Sequence, residues 1–148
     1  MSANEQVLNT GNQAITNYDT SKIFLWNNRY INAPFTAEGY DDTTLLAGTV
    51  MGRVASTNEV IPMESNASDG SQFPIGILAK DYNIAGGDTV DLAICVGGDV
   101  AEEKVLFARN GDGFSTVVSS RTIRDRIAGD TLGIKLVLGT EMTAFDNQ

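Results

Sequence analysis

Three stretches decide how this chain folds: Leu45-Leu46-Ala47-Gly48-Thr49-Val50-Met51-Gly52, Pro74-Ile75-Gly76-Ile77-Leu78, and Gly86-Gly87-Asp88-Thr89 running into Val90-Asp91-Leu92-Ala93-Ile94-Cys95-Val96. In the third, Val90, Leu92, Ile94 and Val96 recur at a strict period of two, the signature of a strand with one buried face. Its other face carries Asp91, Ala93 and Cys95, which predicts a sheet covered on one side and partly wet on the other. Gly48 and Gly52 interrupt the first stretch, and interior glycines mark bends or bulges. Leu45–Val54 therefore reads as one bent strand.

Outward from this centre the pattern stays β. Glu59–Met63 is a short strand that Pro62 confines to an edge or an end, because proline cannot donate to a ladder. Pro74–Ala79 is another strand. Asp69-Gly70 marks an exposed loop within 64–72, Asn83–Asp88 a turn, and Gly97-Gly98-Asp99 the close of the long run before a continuation at Val100-Ala101. Towards the N-terminus, Lys22–Trp26 is a first strand ended by a turn at Asn27-Asn28, and Asn32–Asp42 is loop. Between Phe114 and Gly129 the period changes to helical: Ser119 or Ser120 caps, Ile123 and Ile127 share a face, Arg121 and Asp125 are wet i,i+4 neighbours, and Gly129 stops the helix. Leu132–Leu138 is the last strand. The fold class is mainly β with one short helix.

Residues 1–20 are rich in Asn, Thr, Gln and Ser, with Val7, Leu8 and Ile15 as isolated apolar positions and no secondary-structure period. The segment is an extended N-terminal arm, able to span about 65 Å, or a disordered tail; composition leaves both open. The division is a 1–20 arm and a 21–148 β-rich domain. A chain of 148 residues, 42% hydrophobic, suffices for one such domain with a core.

Composition narrows the function. The formal charge is −9, with 19 acidic and 10 basic residues, and no basic run is available to grip a phosphate backbone, so nucleic acid is not an expected partner. No stretch is apolar enough to cross a membrane as a helix, and no basic segment followed by an apolar run opens the chain. The expectation is a soluble chain made in a cytoplasm. A single cysteine, Cys95, excludes an internal disulfide.

Nothing in the sequence assembles a reactive centre. There is no histidine, so Cys95 has no imidazole to activate it. Asp41-Asp42 and Glu102-Glu103 are adjacent pairs whose side chains diverge on a strand. Asn110-Gly111-Asp112-Gly113 has the start of a calcium loop without its later ligands. Asn66-Ala67-Ser68 fits the glycosylation pattern only for an exported chain. Neither Gly86-Gly87 nor Gly97-Gly98 precedes a phosphate-binding helix. The expectation is no enzyme, no cofactor and no metal. Arg121, Arg124 and Arg126 form a solvated helix face or a contact for an anionic partner. The aromatic stretch Trp26, Tyr30, Phe35 and Tyr40 offers interface side chains, with at least two of the four expected in the core.

The order of the stretches between Leu45 and Ala101, ending in Gly98-Asp99-Val100, resembles the lambda-type head decoration proteins of tailed bacteriophages. Thr122-Ile123-Arg124-Asp125 and Gly133-Ile134 add to the resemblance. It implies a β-clip-like small domain, a homotrimer on the exterior of the expanded capsid at local threefold sites, and a structural role in stabilising the head against the pressure of its DNA. The implied partner is the major capsid protein, touched by an N-terminal arm. Val7, Leu8 and Ile15 would be the arm's contacts, with Trp26 and Tyr30 as further interface residues. The rival reading is a virion-borne binding module, a fibre-base or host-surface adhesin. A third is a metal-dependent nucleotide hydrolase on a β-clip-like scaffold.

Overall fold

The computed structural model describes residues 22–128 and 133–138. In chain order, the described residues form strands β1 (Phe24–Thr36), β2 (Thr43–Leu45), β3 (Val50–Arg53), β4 (Val60–Pro62), β5 (Pro74–Leu78), β6 (Tyr82–Ile84) and β7 (Thr89–Ala101). A 3-10 turn, Glu102–Lys104, leads to β8 (Val117–Val118), β9 (Arg121–Thr122), helix α1 (Ile123–Ala128) and β10 (Gly133–Val137). The described residues are mostly β, with one short helix.

β7 organises the main sheet. Antiparallel β1 follows it along one side, from Phe24↔Val100 to Thr36↔Thr89. On the other side β5 pairs antiparallel with Ile94 and Cys95, and β10 pairs parallel from Gly97 to Ala101. The sheet then runs from β5 through β3 to β4. Among the described residues β4 is an outer strand, which suits Pro62. A two-stranded sheet of β2 and β6 stands apart.

Both faces of the main sheet are covered, and consecutive residues divide between two cores. Met51, Leu78 and Ile94 join Phe35, Leu45, Ile84 and Leu92 in one cluster. Their neighbours Val50, Ile77 and Cys95 join Val100, Ile123, Ile127 and Ile134 in the other. Successive strand side chains point to opposite faces, so Val50-Met51, Ile77-Leu78 and Ile94-Cys95 are apolar in pairs because each member has its own core. Only Asp91 and Ala93, before that point, keep the partly wet face the alternation predicts.

Several expected boundaries move, most of them because pairing overrides a local turn signal. Asn27-Asn28 does not end the first strand. β1 continues past it with irregular register, and Asn27 takes φ 57°, a left-handed conformation that asparagine tolerates. Residues 32–36, expected as loop, belong to the same strand. β7 does not stop at Gly97 either, because β1 pairs with it as far as Val100 and β10 as far as Ala101. The bent strand over Leu45–Val54 is two strands, broken at Gly48 (φ 94°), where a Cβ would lie 2.6 Å from the carbonyl oxygen of Lys104. Asn83 and Ile84 pair with β2, so the turn before β7 begins later.

The helix begins later than Ser119 or Ser120. Those serines (φ 49° and 73°) turn the β8–β9 hairpin, and the cap is Thr122, whose Oγ1 accepts the amide of Asp125 at 3.2 Å. Ile123 and Ile127 are fully buried. Gly129, the expected stop, lies outside the described residues.

Candidate interaction surface

The segment Trp26–Asn32 of β1 combines edge position with exposure. Among the described residues β1 pairs with β7 alone. Trp26 is 41% exposed, Tyr30 48% and Ile31 40%, so large apolar side chains face solvent along a single strand. Such an arrangement suits an interface, where aromatic residues are enriched.

The register shifts between Phe24 and Tyr30 interrupt the ladder to β7, and side chains take over its bonds. Asn28 Nδ2 donates to the carbonyl oxygen of Asp99 at 3.0 Å, with longer contacts to Gly97 O at 3.4 Å and Cys95 Sγ at 3.7 Å. Asn28 thereby ties β1 to β7 where the register is irregular. The Cys95 thiol donates to Gly97 O at 3.1 Å. Gly98 completes the fit: its φ is 95°, and a Cβ there would lie 2.5 Å from the carbonyl oxygen of Asn27. Tyr30 is steadied by the edge of Phe24, with ring centroids 6.0 Å apart at 70°.

Electrostatics around this strand favour neutral groups. Burial pushes the Cys95 thiol above its ordinary pKa, outweighing its hydrogen bonds. Partial burial, then the nearby Cys95, raises Tyr30 likewise. The thiol is a packed core group rather than an exposed nucleophile.

The acidic residues weighed in the sequence hold the frame together. Asp42 Oδ1 accepts the amide of Gly86 at 3.1 Å. Glu102 receives both terminal nitrogens of Arg124, at 2.8 and 2.7 Å, which hold its carboxyl below the ordinary range. Burial pushes the Asp112 carboxyl up, but the Ser65 hydroxyl and amide and the Arg109 guanidinium outweigh it and leave the pKa lowered. The Asn110–Gly113 turn is thus tied to Ser65. No group of three or more metal-ligating side chains occurs among the described residues.

The arginines are less available than a solvated face implies. Arg124 also lies over Phe114, its guanidinium carbon 4.8 Å from the ring centroid. Arg126 donates to Val118 O at 2.6 Å and covers Phe73. Arg121 donates to the backbone carbonyl of Asp125 at 3.2 Å.

Of the four aromatics singled out, Phe35 alone is buried, while Tyr40 is fully exposed on the loop after β1. The expectation of two core aromatics among them fails because the exposed half of β1 carries both Trp26 and Tyr30. Sequence reasoning missed the exposed Leu46 and Leu106, 50% and 41% exposed. Leu106 is bonded through its backbone to Gly48 and Val50, so the two leucines belong to one region that no local period reveals. Val7, Leu8 and Ile15 lie outside the described residues.

Residues 26–113 match the family model of bacteriophage lambda head decoration protein D. That span begins within the exposed part of β1 and reaches the turn tied to Ser65. No curated protein matches the chain.

Proposed function

The chain belongs to the bacteriophage lambda head decoration protein D family, and on that footing we propose that it binds the outer surface of the expanded capsid as a trimer at local threefold sites and stabilises the head against internal DNA pressure. Association with the phage capsid, as a structural component of the virion, follows from the family itself. The match over more than half of the chain is the observation that carries the reading.

The molecule's physical character supports it. A scaffold with both sheet faces packed resists deformation, which suits a protein that must hold its shape on a pressurised shell. Three arms of residues 1–20 would act together: once one is engaged, the others bind at high effective concentration, so weak individual contacts become firm. An extended arm pairs main chain to main chain with a strand edge of the major capsid protein. Val7, Leu8 and Ile15 supply its apolar contacts, and Trp26 and Tyr30 extend the interface onto the domain. Synthesis in the host cytoplasm fits the single reduced cysteine. The family match leaves the adhesin reading without favour.

The test is cosedimentation of the purified protein with expanded capsids lacking decoration. Saturation near three copies per local threefold is expected. Deleting residues 2–20 should leave a folded domain that no longer stays on the shell; retention at the full-length level would refute the arm's role.

A further inference from the structure

Where β1 ends, the main sheet bends back on itself so that β1 and β4 lie against each other across a seam. The Thr36 hydroxyl donates to Glu59 Oε2 at 2.7 Å, and because that spends its proton, Thr89 must donate in the 2.8 Å contact between the two threonine hydroxyls. Beside this bridge lies an open cleft of about 870 Å³. Phe35 and Ile61 give it apolar walls, Glu38 and Glu59 its charge, and Tyr40 stands fully exposed at its rim.

The seam is not built to receive a strand. The amide of Ala37 donates to Asp88 O and its carbonyl accepts from Gly87, so alternation turns the backbone of Thr36 and Pro34 outward. On β4, Glu59 O accepts from Val54 and the amide of Met63 donates to Val50, which turns Val60 and Pro62 outward. A proline therefore stands on each facing edge, where it removes the donor a ladder needs. Recognition at the seam falls to side chains.

Those side chains select a cation. None of the lining residues is basic, and neither Glu38 nor Glu59 has an ion-pair partner among the described residues. Asp41 and Asp42 follow on the same exposed loop, adding to the negative field. Tyr40 can present its ring face to an ammonium or guanidinium group. We propose that this cleft docks a lysine- or arginine-bearing segment of another protein, its charged heads on Glu38 and Glu59 and its aliphatic stems along Phe35 and Ile61. A second copy of this chain is a poorer occupant than a basic segment, because its net charge of −9 opposes its approach to an acidic cleft. The inference goes beyond capsid decoration and stands on the cleft alone.

Isotope-labelled full-length protein should be titrated with the acetylated, amidated hexapeptide Ser-Val-Lys-Val-Lys-Ser, and with a control in which glutamate replaces lysine. Saturable amide shifts confined to residues 35–43, 59–61 and Gly87, produced by the lysine peptide only, are expected. The double variant E38Q/E59Q should weaken binding about tenfold. Glu38→Gln alone, at an exposed position outside the Thr36 bridge, should weaken it in the same direction if the double variant misfolds. Shifts scattered over distant acidic loops, equal responses to both peptides, or undiminished binding by the variants would overturn the proposal. Concentration-dependent shifts at these amides without peptide would do so too, by making the occupant a second copy. Capsid cosedimentation remains an independent readout, so loss of one reading leaves the other standing.

Discussion

Gly98→Ala tests the contact that shapes the exposed part of β1. Two costs add. At φ 95° an alanine is held in a region that L-residues avoid, which costs about 1–2 kcal/mol. Its Cβ would also meet Asn27 O at 2.5 Å and the Asn28 Cα at 2.6 Å; these are backbone atoms that cannot swing aside, and relieving such overpacking costs about 1–3 kcal/mol. The expected loss is about 2–5 kcal/mol. Gly111→Ala is the matched control: φ is 96° but nothing lies within 4 Å of the added carbon, so only the conformational part, about 1–2 kcal/mol, applies. Urea unfolding measures both, and because Trp26 is the single tryptophan, its fluorescence reports the affected strand directly. A shift in the native emission is expected for Gly98→Ala and none for Gly111→Ala. Equal destabilisation by the two substitutions would refute the close approach of β1 to β7 at the bulge.

Three further outcomes follow from other parts of the fold. Ile127→Ala empties a fully buried position in the second core and should cost about 2–5 kcal/mol, whereas Leu46→Ala, half exposed, should change chemical unfolding by less than about 1 kcal/mol. The Glu102–Arg124 pair lowers the folded-state pKa of Glu102, so the unfolded chain takes up protons first as pH falls. Its contribution is complete above the ordinary 4.5 and vanishes as pH drops through the lowered folded value. Being partly exposed, it is worth up to about 1 kcal/mol, and the stability gap between wild type and Glu102→Gln should narrow progressively as the pH is lowered below 4.5. The Cys95 thiol, buried and raised in pKa, should react with a thiol reagent at pH 7 only on the timescale of unfolding; immediate full reaction of the folded protein would contradict its burial.

Local chemistry was enough to find most strands. The period-two run from Val90 to Val96, the edge position announced by Pro62, and the helical spacing of Ile123 and Ile127 are properties of neighbouring residues, and the fold keeps all three. The exposed aromatics Trp26 and Tyr30 were also legible as interface candidates. Their setting was not: Asn27-Asn28 has the chemistry of a turn, and only Asn28's bonds to β7 show why the chain runs straight through it.

Composition and residue pattern alone give the class of the protein: mainly β, acidic and without histidine, with stretches along Leu45–Ala101 that resemble the family whose model it matches. Tertiary structure alone decided where the strands end, because hydrogen bonds from a partner distant in sequence can outweigh a local turn preference. It also decided that both sheet faces are buried, and that Glu38, Glu59 and Tyr40 meet around one cleft. Residues 38 and 59 share no local pattern. They are brought together only when the sheet curves enough for β1 to reach β4, and curvature of that kind is a property of the assembled sheet rather than of any strand within it.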